Sequence, residues 1–141
     1  MDPAEQLKLL KSVRLLDQIP ERQLAALAGF LRPVDLMDGA VIFEEGAKGD
    51  SLYFVTRGQV RISKKVSGAS KDLAILGPGD CFGEMALVEE VARSAGASAC
   101  GPTSLFQLGR SDMKRWLKEH PALAVDFFTE LVLVQYKRLR R

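Results

Sequence analysis

Gly77-Pro78-Gly79-Asp80-Cys81-Phe82-Gly83-Glu84-Met85-Ala86-Leu87, followed by Arg93-Ser94-Ala95, is the stretch of this 141-residue sequence whose residue types could do chemistry. Two glycines around Pro78 make a tight turn, and Gly83 permits close backbone approach to a ligand. Glu84 to Val88 includes good helix formers, enough for one short helical turn. Its unpaired N–H groups, at Gly83 to Ala86, would then point outward as an anion site. Arg93, nine residues after Glu84, can return a planar guanidinium fork suited to phosphate oxygens. Glu84, when ionised, only accepts hydrogen bonds, so a sugar hydroxyl is its natural partner. An anion cradle, an arginine and a hydroxyl-reading carboxylate together suggest a ribose phosphate.

Competing chemistries are short of residues. With His120 as the one histidine, a multi-histidine zinc or iron site is excluded. Cys81 and Cys100 form no CxxC pair, which removes zinc-ribbon and thioredoxin-like readings. No Gly-rich loop runs into Lys-Ser/Thr, so no P-loop is present and the chain reads as a non-enzyme. No metal and no cofactor is expected. Free thiols, an N-terminus whose apolar runs are broken by Lys8, Lys11, Arg14 and Asp17, and no membrane-length apolar stretch point to a cytoplasmic protein. Hydrophobic residues at 47% and charged residues at 27% describe an ordinary globular chain. The net charge of +2 is too small to argue for nucleic acid. Four of the last five residues, Lys137 to Arg141, are basic; the rest of the chain is slightly acidic. Such a tail usually complements a helix C-terminus and stays solvated, so nucleic-acid or acidic-lipid binding through it is not the expectation.

Three zones must position the candidate residues. Residues 1–32 read as N-terminal helices. Asp2, Pro3 and Glu5 form a capping pattern, Leu9, Leu10, Val13 and Leu16 follow helical spacing, and Pro20 opens a second helix with Leu24, Leu27, Ala28 and Leu31. In residues 33–109, ten of the twelve glycines fall between Gly39 and Gly101 and separate short β-prone runs: 41–43, 52–55, 60–62, 73–76 and 105–108. That spacing suggests an antiparallel roll with a polar hairpin tip at Ser67 to Ser70. Residues 110–141 return to helix, with Ser111 as a cap and Pro121 starting a longer helix striped by Leu123, Phe127, Leu131 and Val134. The fold class is α+β: an antiparallel, jelly-roll-like β-roll flanked by helices, in a single domain 1–141.

With these elements in place, the motifs resemble the cyclic nucleotide-binding domain family, the module of bacterial catabolite activators, cyclic-nucleotide-dependent kinases and gated channels. The family's phosphate-binding cassette is matched by residues 82–95: Phe82-Gly83-Glu84-Met85-Ala86-Leu87 with Arg93-Ser94-Ala95. A glycine scaffold, Gly46, Gly49-Asp50, Tyr53 and Gly58, and the segment Leu76-Gly77-Pro78-Gly79-Asp80 match independently. The similarity extends from about Leu15 to His120. It implies that Glu84 accepts from the ribose 2′-hydroxyl and that Arg93 pairs with the cyclic phosphate. Gly83, Met85, Ala86, Ser94 and Ala95 would complete the cassette around the ligand, with Ser94 and N–H groups near Ala86 and Ala95 in the phosphate shell. Ile62, Leu73 and Ala74 would pack against ribose and base. Gly49-Asp50 and Gly58 would serve turns.

The sequence departs from the family where Gly96 and Ala97 replace the usual Thr and β-branched residue; glycine inside a strand weakens it and often marks a bulge. Cys81 is expected as a buried, unreactive thiol, Cys100 and His120 as structural residues, and Tyr53 as core. The resemblance implies cAMP or cGMP as the ligand. A hydroxyl beside the cassette arginine, as Ser94 is, helps recognise a guanine amino group in some members, others with Ser there prefer adenine, and the expectation here leans to cAMP. In the family the last helix moves over the base as a lid and often forms dimer contacts, so a homodimer through the C-terminal helix is a second expectation. No room remains after His120 for a helix-turn-helix domain, so the chain reads as an isolated sensor. The alternative is a β-roll that has lost ligand binding and serves as a protein-interaction or dimerisation module.

Overall fold

The computed structural model describes residues 2–87 and 92–139. The chain forms α1 (Pro3–Lys11), a 3₁₀ turn Arg14–Leu16, α2 (Glu21–Ala28), β1 (Arg32–Leu36), β2 (Val41–Phe43), β3 (Ser51–Val66), β4 (Ala69–Leu76) and β5 (Cys81–Phe82). A second 3₁₀ turn, Glu84–Leu87, precedes β6 (Gly96–Gly109) and α3 (Arg110–Glu119). A third, Pro121–Leu123, leads into α4 (Ala124–Leu139). The strands are antiparallel in the order β1-β6-β3-β4, with β2 also on β6 and β5 also on β3. This is the expected β-roll between helical flanks.

Local chemistry explains most boundaries. The Asp2 side chain accepts from the Ala4 N–H, and Pro3 takes the first helical position, where its missing N–H is harmless. α2 ends at Ala28 rather than near residue 31, because Pro33 pushes Arg32 into extended backbone and starts β1. Pro33 and Asp35 break the apolar alternation of β1, so that strand carries no sequence signal; its edge position tolerates the proline. The 52–55 and 60–62 runs fuse into one strand, β3, which passes through Gly58 with register shifts against β6. At the hairpin, Val66 pairs with Ala69, so Ser67 and Gly68 alone make the turn. Both have positive φ, 53° and 82°, the type I′ pattern whose twist suits antiparallel strands.

Two expectations are corrected here. Gly96 opens β6 opposite Ser63, and the irregularity lies in β2, where Val41 faces Ser98 and Phe43 faces Ala97. Ser111 caps nothing: β6 runs directly into α3, Gly109 is the N-cap, and Ser111 falls within the first turn.

Alternation along β3 and β6 divides the core. Leu52, Phe54, Phe106 and Leu108 face the helices, where they pack with Leu10, Leu16, Leu27, Trp116, Phe127 and Leu131. Tyr53, Val55, Val60 and Leu105 face the roll interior with Leu76 and Phe82. Period-two side-chain alternation makes this division, and burying each large apolar side chain contributes about 1.5–3 kcal/mol. The expected α4 stripe is buried at Leu123, Phe127 and Leu131, so α4 shares one core with the N-terminal helices. Among the described residues, no helix is long and apolar enough to cross a membrane.

Candidate functional site

All ten residues named from the cassette and the apolar wall line one cavity of about 510 Å³. That volume lies within the roughly 300–1,000 Å³ of small-molecule sites. Ile62 of β3 and Leu73, Ala74 and Leu76 of β4 form its apolar side. Ile62 faces Ala74 and Ser63 faces Asp72, so Leu73 is the extra residue of a bulge with no β3 partner opposite it. Bulges re-aim side chains in this way. Met85 and Ser94 are exposed along the cavity, whereas Glu84, Ala86, Arg93 and Ala95 are buried.

Arg93 is 8% exposed. Its Nη1 donates to the Gly83 carbonyl at 3.2 Å and its Nη2 to the Ser51 carbonyl at 3.0 Å. Cζ stands 4.1 Å from the Phe43 ring centroid, and Nε is buried with no hydrogen-bond partner among the described residues. Among the described residues no carboxylate forms an ion pair with it. Burial pulls its pKa down, while Tyr53, Asp50 and Glu84 nearby act in the opposite direction. Among the described residues, this buried guanidinium is held on neutral carbonyls with no carboxylate in direct contact, while Asp50 and Glu84 act on it from further off. Gly83 has φ +78°, and a Cβ there would meet Arg93 Nη1 at 2.8 Å. The close approach expected at Gly83 is therefore made first by Arg93.

Glu84, 5% exposed, starts the 3₁₀ turn Glu84–Leu87. Val88, expected to extend this turn, lies outside the described residues. The Ala86 N–H donates to the Gly83 carbonyl at 3.2 Å, which corrects the expectation that it points outward. A 3₁₀ turn makes i→i+3 bonds, and this one consumes that donor. Arg110, at the start of α3, donates from Nε to the Ala86 carbonyl at 2.7 Å and ties the turn to the helix.

The carboxylate of Glu84 is occupied by Arg138, whose Nη1 lies 2.6 Å from Oε1 and whose Nη2 donates to the Cys81 carbonyl. The reading of the basic tail as wholly solvated is corrected: Arg138 enters the cavity with Gln135. A signal for it existed. The stripe Phe127, Leu131, Val134 continues at the same helical spacing to position 138. Phe43 and Arg110 carried no comparable signal.

The remaining residues fall as expected. Cys81 is buried, its thiol pushed up to about 12 first by burial and then by the charge of Glu84. Tyr53 stacks on Phe82 at 5.2 Å in the core. Cys100 is a free thiol that accepts from Arg61 at 3.9 Å, and His120 joins α3 to the next turn.

Comparison with known proteins places this geometry. A family model described as "Cyclic nucleotide-binding domain" matches residues 33–120. The Cyclic AMP receptor protein of Thermus thermophilus is 40% identical over 106 residues, 74% of this chain and 49% of that protein. Isozyme 1 of the cGMP-dependent protein kinase of Drosophila melanogaster is 36% identical over 110 residues, 75% of this chain and 14% of that protein. The crystal structure of the Thermus thermophilus catabolite activator protein superposes with a TM-score of 0.80 at 31% identity, covering 90% of this chain and 58% of that one. The chain thus spans about half the length of the bacterial regulators it matches.

Proposed function

The chain belongs to the cyclic nucleotide-binding domain family, and from that premise we propose that the cavity binds one cyclic mononucleotide and passes its occupancy to α4. The observation that carries the reading is Arg93: a buried cation lining the cavity with no carboxylate partner among the described residues. A cyclic phosphate supplies a charge in direct contact, and each terminal nitrogen of Arg93, bonded to one carbonyl, keeps a second N–H for it. Glu84 takes the ribose 2′-hydroxyl. Gly83, Met85, Ala86, Ser94 and Ala95 surround the phosphate, and Ile62, Leu73 and Ala74 cover ribose and base. The ligand is cAMP in preference to cGMP, in keeping with Ser94 and with the name of the bacterial relative.

The coupling follows from Glu84. Its carboxylate holds Arg138 of α4, so a ribose hydroxyl must share or replace that ion pair. Occupancy therefore biases where α4 rests, by no more than the ligand's differential affinity for the two arrangements. The chain acts as one regulatory domain, residues 1–141, without catalysis and in the cytoplasm. α4 also serves a homodimer: Val125, Phe128, Val132 and Leu133 are exposed on it at helical spacing.

Titration calorimetry with cAMP and cGMP tests the site. Wild type should bind one nucleotide per chain, and Arg93→Ala should lose most of that affinity. Saturation at about 1,000 times the dissociation constant should also stabilise the fold by roughly 4 kcal/mol. Equal binding by Arg93→Ala, or no binding by wild type, would overturn the assignment.

A further inference from the structure

Gly49 has a conformation any residue can adopt, since its φ is not in the positive range that Gly46 and Gly83 occupy. Its reason for being glycine is space. A Cβ built on it would lie 2.2 Å from Arg93 Nε, 2.3 Å from Nη2 and 2.4 Å from Cζ. The guanidinium therefore abuts the bare α-carbon of Gly49. The Phe43 ring, 4.1 Å from Cζ, supplies a second contact, and the Ser51 and Gly83 carbonyls fix two of the nitrogens. A flexible arginine side chain otherwise loses rotamer entropy when it binds. Here that entropy is lost on folding, before any anion arrives.

We propose that Gly49 and Phe43 form a slot that sets the position of the Arg93 guanidinium, which makes both of them positioning residues for phosphate binding rather than turn and core residues alone. The inference rests on the reading that Arg93 binds the cyclic phosphate. It goes beyond that reading in assigning the arginine's affinity to Gly49 outside the cavity lining and to Phe43 on the cavity wall. Because Gly49 backbone geometry is ordinary and the clashing atoms end a flexible side chain, Gly49→Ala folds and moves Arg93 instead.

Calorimetry decides it, with whichever of cAMP and cGMP binds wild type more tightly. Gly49→Ala should weaken binding by about tenfold or more while the ligand-free protein melts close to wild type. In an Arg93→Lys background, where a slim ammonium replaces the planar fork, the same change should cost less than about twofold. Phe43→Leu should weaken binding by roughly threefold to tenfold, through loss of the ring contact. Wild-type affinity in Gly49→Ala overturns the slot, as does an equal loss in both backgrounds. If Gly49→Ala does not fold, unchanged affinity in Phe43→Leu overturns it. Absence of any nucleotide binding by wild type would instead fell the functional reading beneath it, a result distinguishable from the others.

Discussion

Cys81 and Arg93 are buried ionisable groups in one cassette, and burial pushes each toward its neutral form. For Arg93 the base is so strong that the charge persists. For Cys81 the neutral thiol wins, with a pKa raised from 9.0 to about 12. A thiol reagent at about pH 8 should label Cys100 in the native protein and reach Cys81 only on unfolding. Rapid native labelling of both thiols would contradict this. Linkage adds a pH signature. Above pH 9.0 the unfolded chain releases the Cys81 proton while the native chain keeps it until about 12. Native protein then binds more protons, so stability falls as pH rises through that window. Denaturant midpoints should show this decline in wild type relative to Cys81→Ala.

At the scale of elements, α4 is held by two different forces. Its apolar stripe shares the core of α1 and α2, and its last turn reaches the cassette through Arg138. Removing Arg138 leaves the Glu84 carboxylate buried without its partner. Arg138→Ala should therefore cost the ligand-free protein about 1–3 kcal/mol, within the range for an unsatisfied buried polar group. With a ribose hydroxyl on Glu84 the deficit should shrink. Urea melts with and without saturating cyclic nucleotide measure this, and a loss of equal size in both conditions would show that ribose and Arg138 do not meet at Glu84.

For the whole molecule, the face of α4 turned from the core is the consequential surface. Val125 is 74% exposed and Val132 66%, on the same helix whose other side carries buried Phe127 and Leu131. Pairing of two α4 helices would bury this face and bring two cassettes into one assembly. Sedimentation equilibrium should find a dimer, and Val132→Glu should shift it to monomer while leaving the melting transition near wild type. A wild-type monomer at high concentration would exclude the pairing.

The cassette was legible in the sequence because its parts are local: a glycine turn, a carboxylate at a helix start and an arginine nine residues on. The apolar stripes of the helices were legible for the same reason, since burial imposes a period that residue types must follow. β1 was not, because an edge strand can carry Pro33 and Asp35 without alternation. Nor were the contacts that complete the site. Arg138 meets Glu84 across 54 positions of sequence, and Gly49 lies against Arg93 from the loop before β3. Sequence alone picked out the residues that line one cavity, because chemistry resides in residue type and short spacing. Tertiary structure alone decided that Glu84 already holds an arginine of α4, and that a glycine was kept bare for Arg93. Such pairings depend on which surfaces the packed core brings together, and no local periodicity encodes them.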